Sequence, residues 1–209
     1  MTSSNSSLDL VYYDDSLLVV NKPSGLLAVP GRGADKQDCL SVRIQQQFPD
    51  ALVVHRLDMA TSGLMVFARG AEIHRRLSLM FQEREVQKRY VAVVSGTLES
   101  DSGEINLPIA ADWPNRPLRK IDAETGKPSL TRYHLAERGV DTCRVELEPV
   151  TGRTHQLRIH LAAIGHPILG DALYGDEASA PRLLLHATSL DVSHPRTGEP
   201  LHFASSAPF

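Results

Sequence analysis

One carboxylate, Asp58, stands in the stretch HRLDMATSGL (His55–Leu64) between two apolar runs. Val53 and Val54 precede it and Leu64, Met65, Val66 and Phe67 follow, whereas Thr61, Ser62 and Gly63 are turn formers that break both runs. This arrangement predicts Asp58 at the end of a rigid strand, presented as a nucleophile or proton acceptor. An Asp in such a loop can equally cap the turn or pair with Arg56, and the segment alone does not choose. Other reactive groupings fare less well. His155, His160 and His166 lie close together, but their spacing matches neither HExxH nor a zinc finger, and helical positions five apart share a face poorly, so no metal site is expected. An aspartyl-phosphate enzyme would show DxDxT, whereas Met59, Ala60 and Thr61 follow Asp58 with no second Asp.

The elements that must position these groups follow from periodicity. Leu10–Tyr13 and Leu17–Val20, separated by Asp14-Asp15-Ser16, predict a hairpin. NKPSGL (Asn21–Leu26) ends the second strand, because Pro23 cannot continue a central ladder and Ser24-Gly25 favours a turn; Gly31, Gly33 and Asp35 extend the loop. Helices are expected over Ser41–Phe48, over Ala71–Glu85, where Ile73, Leu77, Met80 and Phe81 recur at helical spacing, and over Thr154–Ile164 with Gly165 as a stop. Strands are expected at Tyr90–Val94, Thr142–Leu147, Leu183–His186 and Leu201–Phe203. Strands with occasional helices, not alternating strand-helix units, imply an α+β fold around a largely antiparallel or mixed central sheet. A length of 209 residues with 42% hydrophobic and 22% charged residues suits one catalytic domain, read here as residues 9–209 behind a mobile Ser-rich tail at 1–8. No apolar run is long enough to span a bilayer, and the start lacks a basic and apolar leader, which reads as a cytoplasmic protein with no membrane partner. Cys39 and Cys143 lie far apart and outside any CxxC spacing, so buried free thiols are expected.

The net charge of −3 argues weakly against a nucleic-acid partner, but its distribution argues the other way. Arg69–Tyr90 and Trp113–Tyr133 are locally basic, while acids gather near the start and at Glu99, Asp101 and Glu104. Within the second stretch, DWPNRPLRK and ETGKPS set Trp113, the only tryptophan, among Arg116, Arg119, Lys120 and Lys127. Such a loop could grip a phosphate backbone and stack on a base. It could also be an ordinary hairpin excursion with Trp113 packed back on the core.

HRLDMATSGL at 55–64, NKPSGL at 21–26, KRYVA at 88–92, TGRTHQLRIH at 151–160, GHPILGDALYG at 165–175 and RLLLHA at 182–187 together resemble the RluA family of pseudouridine synthases over nearly the whole chain. The DWPNRP and ETGKP elements resemble the dual-specificity ribosomal and transfer RNA members. That resemblance implies the pseudouridine synthase fold, with flanking helices and an active-site cleft, and an RNA isomerase that needs no cofactor. Many members carry a separate N-terminal S4 RNA-binding domain; here the first strand begins near Leu10 and leaves no room for one, so the catalytic domain must grip RNA itself. Asp58 is implied as the catalytic carboxylate, Arg158 as its basic partner, and Tyr90 as the tyrosine that packs on the target base and takes part in proton transfer. Without the motifs, Arg158 would read as a surface ion pair and Tyr90 as a plain strand aromatic. The target uridine must be flipped out of its loop. Arg56, two residues before Asp58 and on the same side if the segment is extended, is the candidate to fill the gap or contact phosphate; His55 reads as structural. Lys88, Trp113, Arg116, Arg119, Lys120, Lys127 and Arg153 complete the expected RNA-binding set. The partners implied are a uridine in a 23S rRNA hairpin loop and one in tRNA anticodon loops, met by a monomer. The alternatives are a protein of this fold that binds RNA without catalysis, and a member with another rRNA target.

Overall fold

Two strands in the first half of the chain are apolar on both faces, and they form the core around which that half is built. β2 (Leu17–Lys22) is buried at every residue but Asn21, and β4 (Ser62–Arg69) at every residue but Arg69. They pair antiparallel, Leu17 opposite Ala68 through Lys22 opposite Gly63. β1 (Leu10–Tyr13), whose burial alternates along the strand, pairs antiparallel with β2, and β3 (Ala51–Val53) with β4. The chain is described here by a computed structural model over residues 8–209, so the tail expected at 1–8 lies, Leu8 excepted, outside the described residues. These residues form two compact units: the chain up to Val86 with Asp191–Ser205, and Gln87–Leu190 with Ser206–Phe209.

In the first unit, α1 (Leu40–Gln47) packs on β3, and α2 (Ala71–Glu83) on β3 and β4. α2 buries Ile73 and Leu77, as its 3.6-residue spacing requires. It stops two residues short of the expected Glu85 because Arg84 takes a left-handed conformation, its N–H turned back onto the carbonyls of Met80 and Phe81. In the second unit β5 (Gln87–Ser95), β10 (Thr142–Pro149), β9 (Leu130–Arg138) and β6 (Ser102–Asn106) are neighbours in that order, every pair antiparallel. β7 (Ile109–Ala111) and β8 (Arg119–Ile121) form a separate two-stranded sheet, and α3 (Gln156–Ala163) packs on β8, β9 and β10. β11 (Leu185–Ser193) starts two residues later than expected and runs seven further than His186; β12 (Pro200–Ala204) follows a turn closed by His194 N–H donating to Glu199 O at 2.7 Å. The fold is α+β, with a mixed sheet and flanking helices. Cys39 and Cys143 are buried free thiols. Among the described residues no helix is long and apolar enough to cross a membrane.

Candidate functional site

Asp58 does not end a strand. β3 stops at Val53 and β4 starts at Ser62, so Ser62 and Gly63, expected to break the run, already belong to the ladder, and Asp58 lies in the irregular segment between. Pairing with β2, which sets Lys22 opposite Gly63, overrides the local turn preference at the start of the strand. The segment is nonetheless firmly held. Leu57 turns inward and is buried, while Arg56 on one side is exposed and Asp58 on the other half-buried. The His55 Nε2 accepts the Val66 N–H at 3.0 Å and its ring stacks on Phe81 at 4.5 Å, the structural role expected of it.

The other half of the clamp comes from NKPSGL. Lys22 is fully buried and its ammonium donates to the carbonyls of Pro23 (2.8 Å), Leu26 (2.8 Å) and Met59 (3.0 Å). Ser24 Oγ donates to Ala60 O at 2.6 Å and the Gly25 N–H to Met59 O at 2.8 Å. The two peptide carbonyls directly after Asp58 are therefore tied down by a segment more than thirty residues earlier. Gly25 makes this possible with φ of 84°, a conformation that side chains with Cβ resist. Lys22→Met removes the donor from three carbonyls, and loss of a buried hydrogen-bond partner predicts destabilisation on the order of 3 kcal/mol. Chemical denaturation, followed by circular dichroism, would show a lower midpoint; an unchanged midpoint would refute the clamp.

In the second unit the chemistry centres on a buried ion pair. Arg158, 4% exposed on α3, donates from Nε to Asp171 Oδ2 at 2.8 Å and from Nη2 to Oδ1 at 2.5 Å, and Asp171 is fully buried. The amides of Leu173 and Tyr174 also donate to Asp171 Oδ1, at 2.9 and 3.2 Å. Burial alone would raise the Asp171 pKa; the Arg158 guanidinium and the two amides outweigh it and hold the carboxyl below its ordinary value. The Tyr174 ring lies 5.4 Å from the guanidinium, and its hydroxyl joins His155 Nδ1 and the Arg119 N–H, each at 2.8 Å. Sequence reading found Arg158 but not Asp171 or Tyr174. Their only signal was GDALYG, where an Asp between Gly170 and a turn offers its backbone-facing oxygens. Tyr90 and Lys88 are both half-buried on β5, two residues apart and so on one face, with Tyr90 opposite Leu147. The histidines weighed as metal ligands have separate commitments: His160 bonds Thr131 Oγ1 and Leu107 O, and His166 bonds Ser95 O.

The basic stretch is a hairpin with a concave face. β7 and β8 pair Ile109 with Ile121 and Ala111 with Arg119, and the tip is braced by Leu118 N–H on Asn115 O at 2.9 Å. Gly126 of ETGKP lets the returning chain pass close by: a Cβ there would meet Asp122 O at 2.2 Å. A pocket of about 630 Å³ opens against the hairpin, lined by Ile109–Ala111, Trp113, Arg119, Lys120, Thr125 and Lys127 together with Gly152–Thr154. Trp113 does not pack back on the core: it is 69% exposed, with the Arg116 guanidinium stacked on its ring at 3.8 Å. Lys120 is partly spent on Asp122, 2.8 Å away, which holds that carboxyl well below the usual carboxylate range. Among the described residues Arg116, Arg119, Lys127 and Arg153 enter no ion pair with an acid. The Arg119 Nε, buried, has no hydrogen-bond partner. Six expected RNA contacts thus gather in one place in the second unit: Trp113, Arg116, Arg119, Lys120, Lys127 and Arg153. Arg56 and Asp58 belong to the first unit.

Residues 16–163 match the family described as RNA pseudouridylate synthase, and the chain belongs to that family, within its RluA branch. It is therefore an RNA isomerase. Among its relatives, the dual-specificity RNA pseudouridine synthase RluA of Escherichia coli (strain K12) is 50% identical over 206 residues, covering 97% of this chain and 94% of the relative. RluA of Yersinia pestis is 50% identical over 204 residues, covering 96% and 99%. A solved structure, human RNA pseudouridylate synthase domain containing 1, superposes with a TM-score of 0.82 at 31% identity, covering 100% of this chain and 87% of that one.

Proposed function

We propose that this enzyme converts uridine to pseudouridine in both transfer RNA anticodon loops and a 23S rRNA hairpin loop, with Asp58 as its catalytic carboxylate. The dual-specificity relatives at 50% identity over almost the full chain carry this reading. In the reaction the N1–C1′ bond breaks, the uracil turns, and C5 bonds to C1′. N1 gains a proton and C5 loses one, so the product is an isomer and no redox partner or energy source is required. Asp58 serves as nucleophile or proton acceptor, Arg158 as the basic partner of that carboxylate, and Tyr90 packs on the base and takes part in proton transfer. The exposed Arg56 fills the space left by the flipped nucleotide or meets its phosphate. Lys88 adds a cation beside Tyr90.

RNA is held by the hairpin pocket, whose uncommitted cations suit phosphates and whose Trp113–Arg116 stack offers a planar platform for a base. A volume of about 630 Å³ admits a nucleotide. Because Lys120 is shared with Asp122 and Arg116 with Trp113, Lys127→Ala with Arg153→Ala should weaken tRNA binding more than Arg116→Ala with Lys120→Ala. The first pair should cut the slope of log Kd against log salt by about two, one per lost phosphate contact. Filter binding across a salt series measures this; equal slopes for wild type and the Lys127/Arg153 pair would remove the pocket from the RNA-binding surface.

The function itself is tested by tritium release from C5-labelled, unmodified tRNA and 23S rRNA fragments. Release from both supports dual specificity. Release from one assigns a single substrate, and release from neither refutes this reading.

A further inference from the structure

We propose that Tyr174 is a positioning residue that sets the width of the hairpin pocket and couples it to Arg158, an inference that rests on the RNA-modifying reading above. The β7–β8 pair is a two-stranded sheet outside the main ladder, and so small a sheet is marginal by itself. What fixes its first returning residue is the Tyr174 hydroxyl, which accepts the Arg119 backbone N–H at 2.8 Å. The same hydroxyl is hydrogen-bonded to His155 Nδ1, also at 2.8 Å.

These two partners belong to two separate segments of the chain that meet at the pocket. Arg119 lines the pocket, and His155 directly follows Gly152–Thr154, which line it too. One hydroxyl therefore ties the hairpin strand that lines the pocket to the segment leading out of Gly152–Thr154, and so sets their spacing. The same residue reaches the buried pair through two more groups: its N–H donates to Asp171 at 3.2 Å and its ring lies 5.4 Å from the Arg158 guanidinium. His155 is itself left-handed, with φ of 58°, at the start of α3. A non-glycine residue persists in that region only when its surroundings enforce it, and the Tyr174 hydroxyl and ring are part of that enforcement. Nucleotide entry that shifts Arg119 is thereby transmitted to the turn that carries Asp171, the counter-ion of Arg158 on α3.

The test is Tyr174→Phe, which keeps the ring and deletes the bridge, measured in the full chain with unmodified tRNA. Three readouts are expected. Kd weakens roughly five- to ten-fold, the scale of a lost hydrogen bond, with an unchanged salt slope because no charge is removed. The single-turnover rate at saturating enzyme, which does not depend on the folded fraction, falls about ten-fold. In the Tyr174→Phe background, Lys127→Ala with Arg153→Ala costs less affinity than in wild type, since the two segments are no longer held in register. Tyr174→Leu, which also withdraws the ring from Arg158, slows the saturating rate further.

Wild-type Kd and rate in Tyr174→Phe overturn the proposal. So does a loss accompanied by a lowered melting temperature and strict additivity with the Lys127/Arg153 pair, which would assign Tyr174 to stability alone. If wild-type enzyme forms no pseudouridine, the functional reading fails separately, and the affinity cycle still decides whether Tyr174 bridges the pocket.

Discussion

Asp58→Asn should lower C5 tritium release at least roughly 10³-fold, about 4 kcal/mol of lost transition-state stabilisation, while tRNA affinity stays within a few-fold of wild type. The split follows from how the residue is held. Asparagine matches aspartate in shape, so buried Leu57 and the bonds to Met59 O and Ala60 O from Lys22, Ser24 and Gly25 can keep the loop in place. What the amide cannot do is attack as an anion or accept a proton at neutral pH. In the proposed function, binding draws on other groups, chiefly the cations of the hairpin pocket. Single-turnover tritium release beside filter binding separates the two effects. A variant that lost affinity and kept its rate at saturation would move Asp58 from chemistry to RNA recognition.

Asp171→Asn should be the most destabilising single change. It removes the fully buried carboxylate to which Arg158, 4% exposed, donates twice, and breaking such a pair from one side costs about 3–5 kcal/mol. In a chain of this size that is a fall of roughly 10 °C in melting temperature. Arg158→Met combined with Asp171→Leu should be less destabilised than Asp171→Asn, because both halves of the buried pair are replaced together by apolar groups, yet be inactive for want of the arginine. Scanning calorimetry and tritium release on both variants check this; a double variant as unstable as the single would contradict the ion-pair argument. The pH dependence has a definite sign. Asp171 is held below the ordinary carboxylate value of 3.8, so the folded state binds this proton less readily than the unfolded one. Its stabilisation is complete above that value and drains away as the pH falls below it, towards the lower folded value. Asp171→Asn should flatten the acid limb of the stability curve and leave the neutral region with no new slope.

Local regularity made much of this architecture legible. The hairpin of β1 and β2 was announced by two apolar runs around Asp14-Asp15-Ser16, and its register is completed by Asp14 Oδ1 accepting from Ser16 N–H at 2.6 Å and Leu17 N–H at 2.8 Å. α2 is announced by Ile73, Leu77 and Phe81, because a helix buries side chains at fixed intervals; α3 carries Leu157 and Leu161 at the same spacing, yet tertiary packing buries every residue from Gln156 to Leu161. Boundaries were less legible. Ser62 and Gly63 look like a turn until β2 lies beside them, and β11 extends to Ser193 through residues whose strand character depends on neighbours.

The sequence by itself determined the family, the α+β class, the segment bearing Asp58 and the residues of the cationic hairpin, since each is written in contiguous motifs. Only the tertiary structure decided what those residues rest on. Lys22 reads like any surface lysine, yet folding buries its ammonium against three carbonyls, one of them 37 residues away. Asp171 and Tyr174 read as parts of a turn, yet they hold Arg158 and, across 55 residues, Arg119. Bonds of this kind join a side chain to a distant carbonyl, amide or charge and leave no periodic trace along the chain. They exist because a buried polar group must find a partner wherever the fold brings one near.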